Sequence, residues 1–254
     1  MSGRLTVVGI GPGNPHQMTA EARAALAAAT DLFGYKAYLN RLEILPCQTR
    51  HASDNREESA RAGAAIEAAC AGKKVAMVSG GDAGVFAMAA AVCEAIEAGP
   101  EAWRSVDLEV VPGVTAMLAV AARVGAPLGH DFCALSLSDN LKPWDTIVRR
   151  LEAAAGAGFV IAIYNPISRS RPWQLGEAFD RLRAILPGPT PVVFGRAAGR
   201  PDERIEIRSL ASAVADLADM ATCVIVGSPE TRLVERHGRP PLVYSPRATG
   251  RPAI

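Results

Sequence analysis

Residues 7–19 read VVGIGPGNPHQMT, in which a short apolar run passes into a loop with three glycines and a proline. Glycines after a predicted strand let the backbone approach a ligand closely, and such loops often hold a phosphate. The segment TAEARAALAAATDLFG at 19–34 follows, with helical composition, Thr19 as a plausible N-cap and Gly34 as a stop. A strand, a glycine loop and a helix in this order predict an α/β protein.

The spacing inside this loop argues against a phosphate site. The string GxxxxGK[ST] does not occur in the sequence, and the fingerprint GxGxxG is not met because Gly9 and Gly11 are followed by Gly13. Pro12 lacks the backbone N–H that a phosphate would bind. Asp31 stands near the place of a ribose-binding acid but lies inside the predicted helix. The loop instead indicates close contact with a ligand of partly apolar shape, or a tight turn without a ligand.

Strands and helices alternate along the rest of the chain, which indicates a mostly parallel sheet. The remaining helices are predicted at 56–73, 87–98, 144–155 and 173–186. The strands, some with the loop that follows them, are predicted at 4–10, 74–86, 106–114, 131–139, 158–166, 191–196, 203–210 and 222–228. We expect an N-terminal α/β domain at 1–113, a C-terminal α/β domain at 114–244 and an irregular tail at 245–254, with irregular structure already from His237.

Two more glycine loops end predicted strands. SGGDAG at 79–84 follows VAMV, and PGVTA at 112–116 follows a third apolar strand. The carboxyl ends of strands are where open α/β sheets bind ligands, so the three loops are expected to converge at one sheet edge. Asp82 is then a candidate ligand-binding residue, with an ordinary helix-capping role as the alternative.

Composition excludes several classes of protein. The chain has 27 Lys and Arg against 26 Asp and Glu, a balance that argues against nucleic-acid binding through a global basic field. The five cysteines and four histidines form no metal-binding spacing, so we expect no structural metal. The sequence has neither a signal-peptide pattern nor an apolar run long enough to span a membrane, and we expect a cytoplasmic protein.

The three loops together resemble the tetrapyrrole methylase family, in which GxGPG, GGD and PGVTA occur in this order. The resemblance extends to about Tyr244 and is most specific in PLGHDF (127–132), SLSDNLKPW (136–144) and YNPISRSRPWQL (164–175). Within the family these segments resemble the branch that methylates carbon 17 of precorrin-3B. Asn14 and Ala83 depart from the Asp and Pro that are common in the family, and neither puts the expected site in serious doubt.

The resemblance implies a site for S-adenosylmethionine in a cleft between two α/β domains, the class III methyltransferase fold. The residues implied to hold this cofactor are Pro12, Gly80, Gly81, Asp82, Val85, Phe86, Thr115, Ala116, Tyr164, Asn165, Arg196, Ala197, Ile225 and Gly227. No metal is expected. The first loop would form one wall of the cleft, where the sulfonium donor meets a flat macrocycle.

The resemblance also implies the reaction. This branch couples methylation of carbon 17 to ring contraction, which yields precorrin-4 in cobalamin biosynthesis. Methyl transfer from a sulfonium needs positioning more than a strong base, whereas contraction needs proton transfers. The candidates for these transfers are Asp139, Ser136, Ser138, His130 and Asp131, and no single acid is singled out. His130 has an ordinary turn residue as its alternative role.

The substrate of this branch carries many carboxylates, which need cations. Arg169 and Arg171 are candidates, and Lys142 and Lys36 are further candidates. Gly11 is expected to contact the substrate as well. Trp144 and Trp173 are candidates to cover the macrocycle, and core packing is the alternative for both. A cobalt-bearing substrate of the oxygen-independent route is an open alternative. A nucleotide-dependent oxidoreductase and a silent tetrapyrrole carrier are more distant ones. Family members are typically homodimers, and we expect the same here.

Overall fold

The strand in front of the first glycine loop lies near the middle of a parallel sheet. The structure, a computed structural model, describes residues 3–43, 45–54 and 57–248. The chain divides into two compact units, Met1–Ala116 and Met117–Ile254.

The first unit has a five-stranded sheet in the order β3-β2-β4-β1-β5, with every neighbouring pair parallel. Its strands are β1 Arg4–Gly9, β2 Asp31–Tyr35, β3 Thr49–Ser53, β4 Lys74–Ser79 and β5 Asp107–Val111. Alternate residues of β1 enter two cores, because Leu5 and Val7 lie in one and Val8 and Ile10 in the other. A strand that is buried on both faces explains why RLTVVGI reads as a nearly continuous apolar run.

Helices cover both faces of this sheet. They are α1 Ala20–Ala28, α2 Lys36–Leu39, α3 Glu58–Cys70 and α4 Met88–Ala98. Thr19 caps α1 as predicted, since its hydroxyl accepts a hydrogen bond from Ala22 N at 3.0 Å. One core contains α3 and α4 residues such as Ala65 and Val92, and the other contains Leu26 of α1.

The prediction of one helix over 19–34 is wrong in its second half. The helix α1 ends at Ala28, and Asp31–Tyr35 form the strand β2. The alanine-rich composition of the segment hid this strand, which β4 on one side and β3 on the other hold in register. Pairing within the sheet outweighs the local helical preference. The sequence analysis also missed β3 and α2.

The second unit has a mixed five-stranded sheet in the order β10-β9-β11-β8-β7. Its strands are β7 Phe132–Ser136, β8 Val160–Tyr164, β9 Pro191–Arg196, β10 Arg204–Ser209 and β11 Thr222–Val226. Only β7 and β8 are parallel, while β11 runs antiparallel to both β8 and β9. The expectation of a mostly parallel sheet is therefore confirmed for the first unit and wrong for the second. The segment 197–203 between β9 and β10 is too short for the helical crossover that a parallel pair needs.

Three helices belong to this part of the chain: α5 Ala116–Val124, α6 Trp144–Gly156 and α7 Gln174–Arg183. The last two bury Ile147, Leu151 and Phe179 in one core with Val224 and Val226 of β11. Val120 of α5 lies against Gly195, where an added Cβ would stand 2.1 Å from Val120 Cγ2. This contact needs a glycine because the helix lies directly on the strand.

A small third sheet follows β11. It contains β6 Gly125–Ala126, β12 Arg232–Arg236 and β13 Arg239–Tyr244, in the order β12-β13-β6. The prediction of irregular structure from His237 is thus wrong for 239–244, where β13 pairs with two strands despite its prolines. Residues 245–248 form no helix or strand. Residues 249–254 of the expected tail lie outside the described residues.

Candidate functional site

The three glycine loops of the first unit meet at one edge of its sheet, as predicted. They are residues 10–14, 80–87 and 112–115, and they follow β1, β4 and β5, which are adjacent and parallel. Gly11 N donates to Gly81 O at 3.0 Å and Gly81 N donates to Gly11 O at 2.9 Å. This reciprocal pair joins the first loop directly to the second.

Asp82 joins the second loop to the third. Its Oδ2 accepts a hydrogen bond from Gly113 N at 3.0 Å. Its Oδ1 accepts from Gly84 N at 2.8 Å and from Val85 N at 3.0 Å. The carboxylate is therefore occupied by its own chain, and its observed role is to position the loops.

The glycines serve close contact between loops as well as backbone conformation. A Cβ at Gly9 would stand 2.8 Å from Gly113 N and from Gly81 O, and a Cβ at Gly113 would stand 2.3 Å from Gly81 O. Gly11 and Gly81 have φ of 75° and 69°, which other residues rarely adopt. Gly80 is covered by Tyr38, because an added Cβ would lie 2.7 Å from the ring.

The remaining residues of these loops have varied environments. Gly81 lies near Thr115 and Ala116, since a Cβ added at Gly81 would stand 3.8 Å from Thr115 Cα and 3.9 Å from Ala116 N. Thr115 and Pro12 are buried. Phe86 is half exposed, which is unusual for so large an apolar side chain at the end of a glycine loop. Asn14 caps the turn 15–17, as expected for a replacement of Asp.

Three residues other than glycine have positive φ among those the structure describes. They are Phe86 at 50°, Asn165 at 48° and Ala197 at 52°. All three belong to the set that the family resemblance implied for the cofactor. A non-glycine residue in this conformation costs on the order of 1–3 kcal/mol, and such residues cluster at ligand sites. The strain singles out the loops after β4, β8 and β9.

In the second unit, the loops after β7 and β8 contact each other. Asn165 Nδ2 donates to Ser136 Oγ at 2.9 Å, and Ser138 N donates to the same oxygen at 3.3 Å. Tyr164 Oη accepts from Met117 N at 2.9 Å, which fixes its ring at the start of α5. Since β7 and β8 are parallel neighbours, their carboxyl ends bring these two motifs together.

Arg171 connects the same loops further out. Its Nη1 donates to Asp139 Oδ1 and to Asn140 Oδ1, both at 2.6 Å. The guanidinium lowers the pKa of the Asp139 carboxyl, which therefore stays ionised. An ionised carboxylate accepts protons, so this geometry fits a base or an electrostatic partner better than an acid.

The rings of Trp144 and Trp173 meet edge to face, with centroids 4.9 Å apart. Trp144 packs against the core of the second unit, which is the alternative role given for it in the sequence analysis. Trp173 is about half exposed. Trp173 alone of the two offers apolar surface at this edge.

The cations predicted for the substrate differ in their surroundings. Arg171 is paired with Asp139, whereas Arg169 and Lys36 are exposed side chains at the surface. Lys142 is partly buried, and burial together with the charge of Arg150 lowers its pKa. Lys36 lies in the first unit, and the other cations lie in the second.

Arg196 is the last residue of β9 and Ala197 follows it, at the edge where β8 also ends. Arg196 Nε donates to Asp219 Oδ2 at 2.7 Å and its Nη1 donates to Asp202 Oδ2 at 2.8 Å. These pairs hold the pKa of Asp202 below its usual value and anchor the turn that begins at Ala197. The guanidinium therefore organises the loop.

Two of the residues implied for the cofactor, Ile225 and Gly227, do not lie with Arg196 and Ala197, because β11 runs antiparallel to β9. Thr222 pairs with Arg196 and Val226 with Val192, so Gly227 follows β11 at the opposite edge, where its N donates to Pro191 O. Gly227 is roughly 16 Å along the strand from Thr222. Ile225 is buried in the middle of the sheet. The structure does not bring Gly227 together with Ala197.

His130 and Asp131 are also apart from the other catalytic candidates. They precede β7, whereas Ser136 is its last residue and Ser138 and Asp139 follow it, at the other edge. His130 Nδ1 accepts from Asp131 N at 2.7 Å, which is a local turn contact. The alternative of an ordinary turn residue describes His130 well.

Sequence reasoning missed residues at this edge that the fold supplies. Asn140 shares Arg171 with Asp139, and Ala221 O accepts from Ala197 N at 2.9 Å. Ala221 and Thr222 come to the edge because β11 is antiparallel, and no local sequence signal carries that direction. Asn140 could have been found from its place inside the SLSDNLKPW motif.

The described residues also bear on two other classes of site. They contain no group of three or more His, Cys, Asp or Glu side chains placed to hold a metal ion. Within that same part of the chain, no helix has both the length and the apolar character that a membrane span requires.

With this geometry in place, similarity to known proteins identifies the class. Residues 4–214 match the family described as tetrapyrrole (corrin/porphyrin) methylases. The chain belongs to this family.

Individual relatives agree with that assignment. A precorrin-3B C(17)-methyltransferase of Sinorhizobium sp is 68% identical over 97% of both chains. A probable cobalt-factor III C(17)-methyltransferase of Salmonella typhimurium is 42% identical over 89% of this chain and 93% of its own. The crystal structure of the methyltransferase CobJ is similar with a TM-score of 0.91 and 47% identity, over 96% of this chain and all 100% of that one. The uroporphyrin-III C-methyl transferase of Thermus thermophilus, complexed with S-adenyl homocysteine, shares the fold at a TM-score of 0.66 and 22% identity.

Proposed function

We propose that this methyltransferase transfers a methyl group from S-adenosylmethionine to carbon 17 of precorrin-3B, with ring contraction to precorrin-4, in cobalamin biosynthesis. The observation that carries the proposal is the joining of SLSDNLKPW to YNPISRSRPWQL at the carboxyl ends of β7 and β8 through Ser136, Asn165, Asp139 and Arg171. These are the most specific motifs of the branch. The 68% identity to a precorrin-3B C(17)-methyltransferase supports the same reading.

Each unit, taken by itself, contains residues whose properties suit the cofactor. Apolar Phe86, backbone groups turned by positive φ and the glycine contacts suit a ligand with an apolar body and a hydrogen-bonding rim. We assign its binding to the residues at the two loop-bearing edges, Pro12, Gly80, Gly81, Val85, Phe86, Thr115, Ala116, Tyr164, Asn165 and Ala197. Asp82 and Arg196 position these loops, and Gly227 is left out because it lies at the opposite edge. S-adenosylmethionine supplies the methyl group as an activated sulfonium when bound.

The chain's own contribution to the chemistry is to position the methyl donor and acceptor and to transfer protons. Alignment of donor and acceptor lowers a barrier by roughly 7–11 kcal/mol in favourable cases, so rigid loops are the main requirement for methyl transfer. Asp139, kept ionised by Arg171, is placed to accept or stabilise a proton during contraction. Ser136 Oγ already accepts hydrogen bonds from Asn165 Nδ2 and Ser138 N, so we propose that its hydroxyl hydrogen donates a hydrogen bond to the substrate.

The test is incubation of the purified protein with methyl-labelled S-adenosylmethionine and metal-free precorrin-3B, followed by mass spectrometry and absorption spectroscopy of the product. We expect one labelled methyl group in a product with the spectrum of the contracted ring. Leu233→Ala, on the surface strand β12, serves as a matched variant that should retain full activity. No label on the product, from protein shown to be folded, would overturn the proposal.

The cobalt-bearing substrate is the second candidate. The 42% identity to a probable cobalt-factor III C(17)-methyltransferase favours it less than the 68% identity favours the metal-free substrate. The same assay with the cobalt complex separates the two, because methylation of the cobalt complex alone would move the protein to the oxygen-independent route. We further propose a cytoplasmic homodimer, and light scattering at micromolar concentration would contradict the dimer by returning the mass of one chain.

A further inference from the structure

The loop between β7 and α6 exposes an apolar side chain and partly buries a charged one. Leu141 is 97% exposed. Its neighbour Lys142 is partly buried, and in the ranges 3–43, 45–54 and 57–248 its ammonium has no hydrogen-bond or ion-pair partner. The usual arrangement is the reverse, because apolar side chains gain by leaving water and ammonium groups lose by it.

Hydrogen bonds anchor the loop on both sides of Leu141 and Lys142. Asn140, just before the pair, accepts a hydrogen bond from Arg171 Nη1 at 2.6 Å. Pro143, just after it, is the N-cap of α6, and its carbonyl accepts from Thr146 N at 3.1 Å. The backbone is therefore anchored on both sides of Leu141 and Lys142. A ligand with an apolar surface and an anionic group would cover the leucine and pair with the ammonium.

We infer that Leu141 and Lys142 form a clasp for the substrate, in which Leu141 lies on the apolar face of the macrocycle and Lys142 binds a peripheral carboxylate. The inference rests on the proposed function and deepens it. An apolar ring with carboxylates at its rim matches both needs at once: it covers the exposed leucine and gives the ammonium its missing counter-charge.

The surroundings of Lys142 support this assignment. Arg150 of α6 is close enough to repel it, so the clasp is positively charged and attracts an anion. Arg171 is tied to Asp139 and Asn140, which leaves Lys142 as the partly buried cation of this loop that awaits a partner. Trp173, about half exposed on the loop that Arg171 joins to this one, adds apolar surface nearby.

The experiment titrates the full-length protein with uroporphyrin III, a tetrapyrrole with carboxylates at its rim, and with its fully esterified form. The variants are Leu141→Ala and Lys142→Met, which keeps the length of the side chain without its charge. Matched controls are Leu233→Ala on β12 and Arg149→Met on the exposed side of α6. The same four proteins are assayed for KM and kcat with precorrin-3B.

We expect Leu141→Ala to weaken binding of both probes about tenfold, which is the loss of roughly 1.4 kcal/mol. Lys142→Met should weaken binding of the free acid about tenfold and leave the ester unaffected. With precorrin-3B, KM should rise in both variants while kcat stays within about twofold, and the controls should match the wild type.

Other results separate the clasp from the function. Unchanged binding and KM in both variants of an enzyme that methylates precorrin-3B would overturn the clasp and leave the function standing. Equal losses with acid and ester in Lys142→Met would overturn the carboxylate assignment. A wild-type protein that neither binds the probes nor methylates precorrin-3B would overturn the proposed function and the clasp with it. Loss of self-association in Leu141→Ala, with binding of both probes unchanged, would assign Leu141 to a second copy of the chain.

Discussion

At the scale of single residues, the described contacts separate residues that organise the site from residues left to meet a ligand. The three hydrogen bonds accepted by the Asp82 carboxylate come from backbone N–H groups of two loops. The guanidinium of Arg196 is likewise committed to Asp202 and Asp219. Both residues are given as cofactor-binding residues in the sequence analysis. A motif shows where a residue stands in the chain, but it does not show which group its side chain contacts.

Asp82→Asn should destabilise the first unit. The amide offers one oxygen and one NH₂ group, so at least one of the three N–H donors would face another donor. We expect the free energy of unfolding to fall by about 1.5–3 kcal/mol, the usual contribution of hydrogen bonds to a charged group, since these bonds are partly exposed. Binding of S-adenosylhomocysteine should also weaken, because the loop that contains Asp82 loses its side-chain hydrogen bond to Gly113 in the third loop. Denaturant unfolding and calorimetric titration measure the two effects.

Asp107→Asn is the control for Asp82. Asp107 lies 3.6 Å from Arg4 in an exposed ion pair, so its replacement should change stability by about 0–1 kcal/mol. Equal losses in the two variants would mean that the loop contacts of Asp82 contribute nothing beyond a surface charge.

Cys223 should make the protein less stable in alkaline solution. The thiol is buried in β11, and burial raises its pKa from 9.0 to about 12. Below pH 9 both states hold the proton; above it the unfolded thiol ionises first, so stability is lost as pH rises toward 12. At pH 10 this loss is about 1.4 kcal/mol.

The measurement compares wild type with Cys223→Ala by urea unfolding at pH 7 and pH 10. The stability advantage of the wild type over the variant should shrink by about 1.4 kcal/mol between these values, and the other titrating groups cancel in the difference. A constant advantage would mean that the thiol ionises equally in both states.

At the scale of elements, the local sequence pattern predicts most strands and helices. What it misses depends on which strands pair and on the direction in which each strand runs. The apolar runs at β1, β4, β8 and β9 are long and β-branched, and all four were predicted. The strand β2 was lost in an alanine-rich segment because its pairing partners are distant in sequence. The family resemblance implies Gly227 as a cofactor residue together with Ala197, and the antiparallel direction of β11, which no local pattern indicates, places the two at opposite edges of the sheet.

The pairing of the loops after β7 and β8 should appear in the pH profile. Arg171 lowers the pKa of Asp139, so a step that needs the ionised carboxylate persists into acid and is lost as pH falls through that lowered pKa. In Arg171→Gln the pKa of Asp139 should rise, and the acid limb of kcat/KM should move to higher pH. Steady-state methyl transfer across pH 4–8 measures the shift.

Arg181→Gln is the control for the loss of an arginine, because Arg181 lies in α7, the helix that follows Arg171 in the chain. Arg181 pairs with Glu177 and Glu152 on the exposed surfaces of α7 and α6, away from the β7 and β8 loops. Its acid limb should match that of the wild type. An Arg171→Gln profile that also matches would remove Asp139 from the proton transfers.

At the scale of the whole molecule, motifs carried the function further than composition did. Charge balance and cysteine spacing only excluded classes of protein, whereas three glycine loops in a fixed order, followed by SLSDNLKPW and YNPISRSRPWQL, pointed to the family to which residues 4–214 belong. The placement of His130 and Gly227 at edges remote from their expected partners could not be predicted, because it depends on which end of a strand each loop joins.

Ligand binding should stabilise the chain in a way that discriminates between the cofactors considered. A ligand at 100 times its Kd adds about 2.7 kcal/mol to the folded state. For a chain of this length that corresponds to a rise in Tm of about 5–10 °C. We expect S-adenosylhomocysteine to produce this rise and NADH to produce none, measured by differential scanning calorimetry at matched concentrations. Asp82→Asn should show a smaller rise at the same ligand concentration, since its loops are less ordered. A rise with NADH and none with S-adenosylhomocysteine would contradict the cofactor assignment, because only a ligand that binds the folded state can shift the transition.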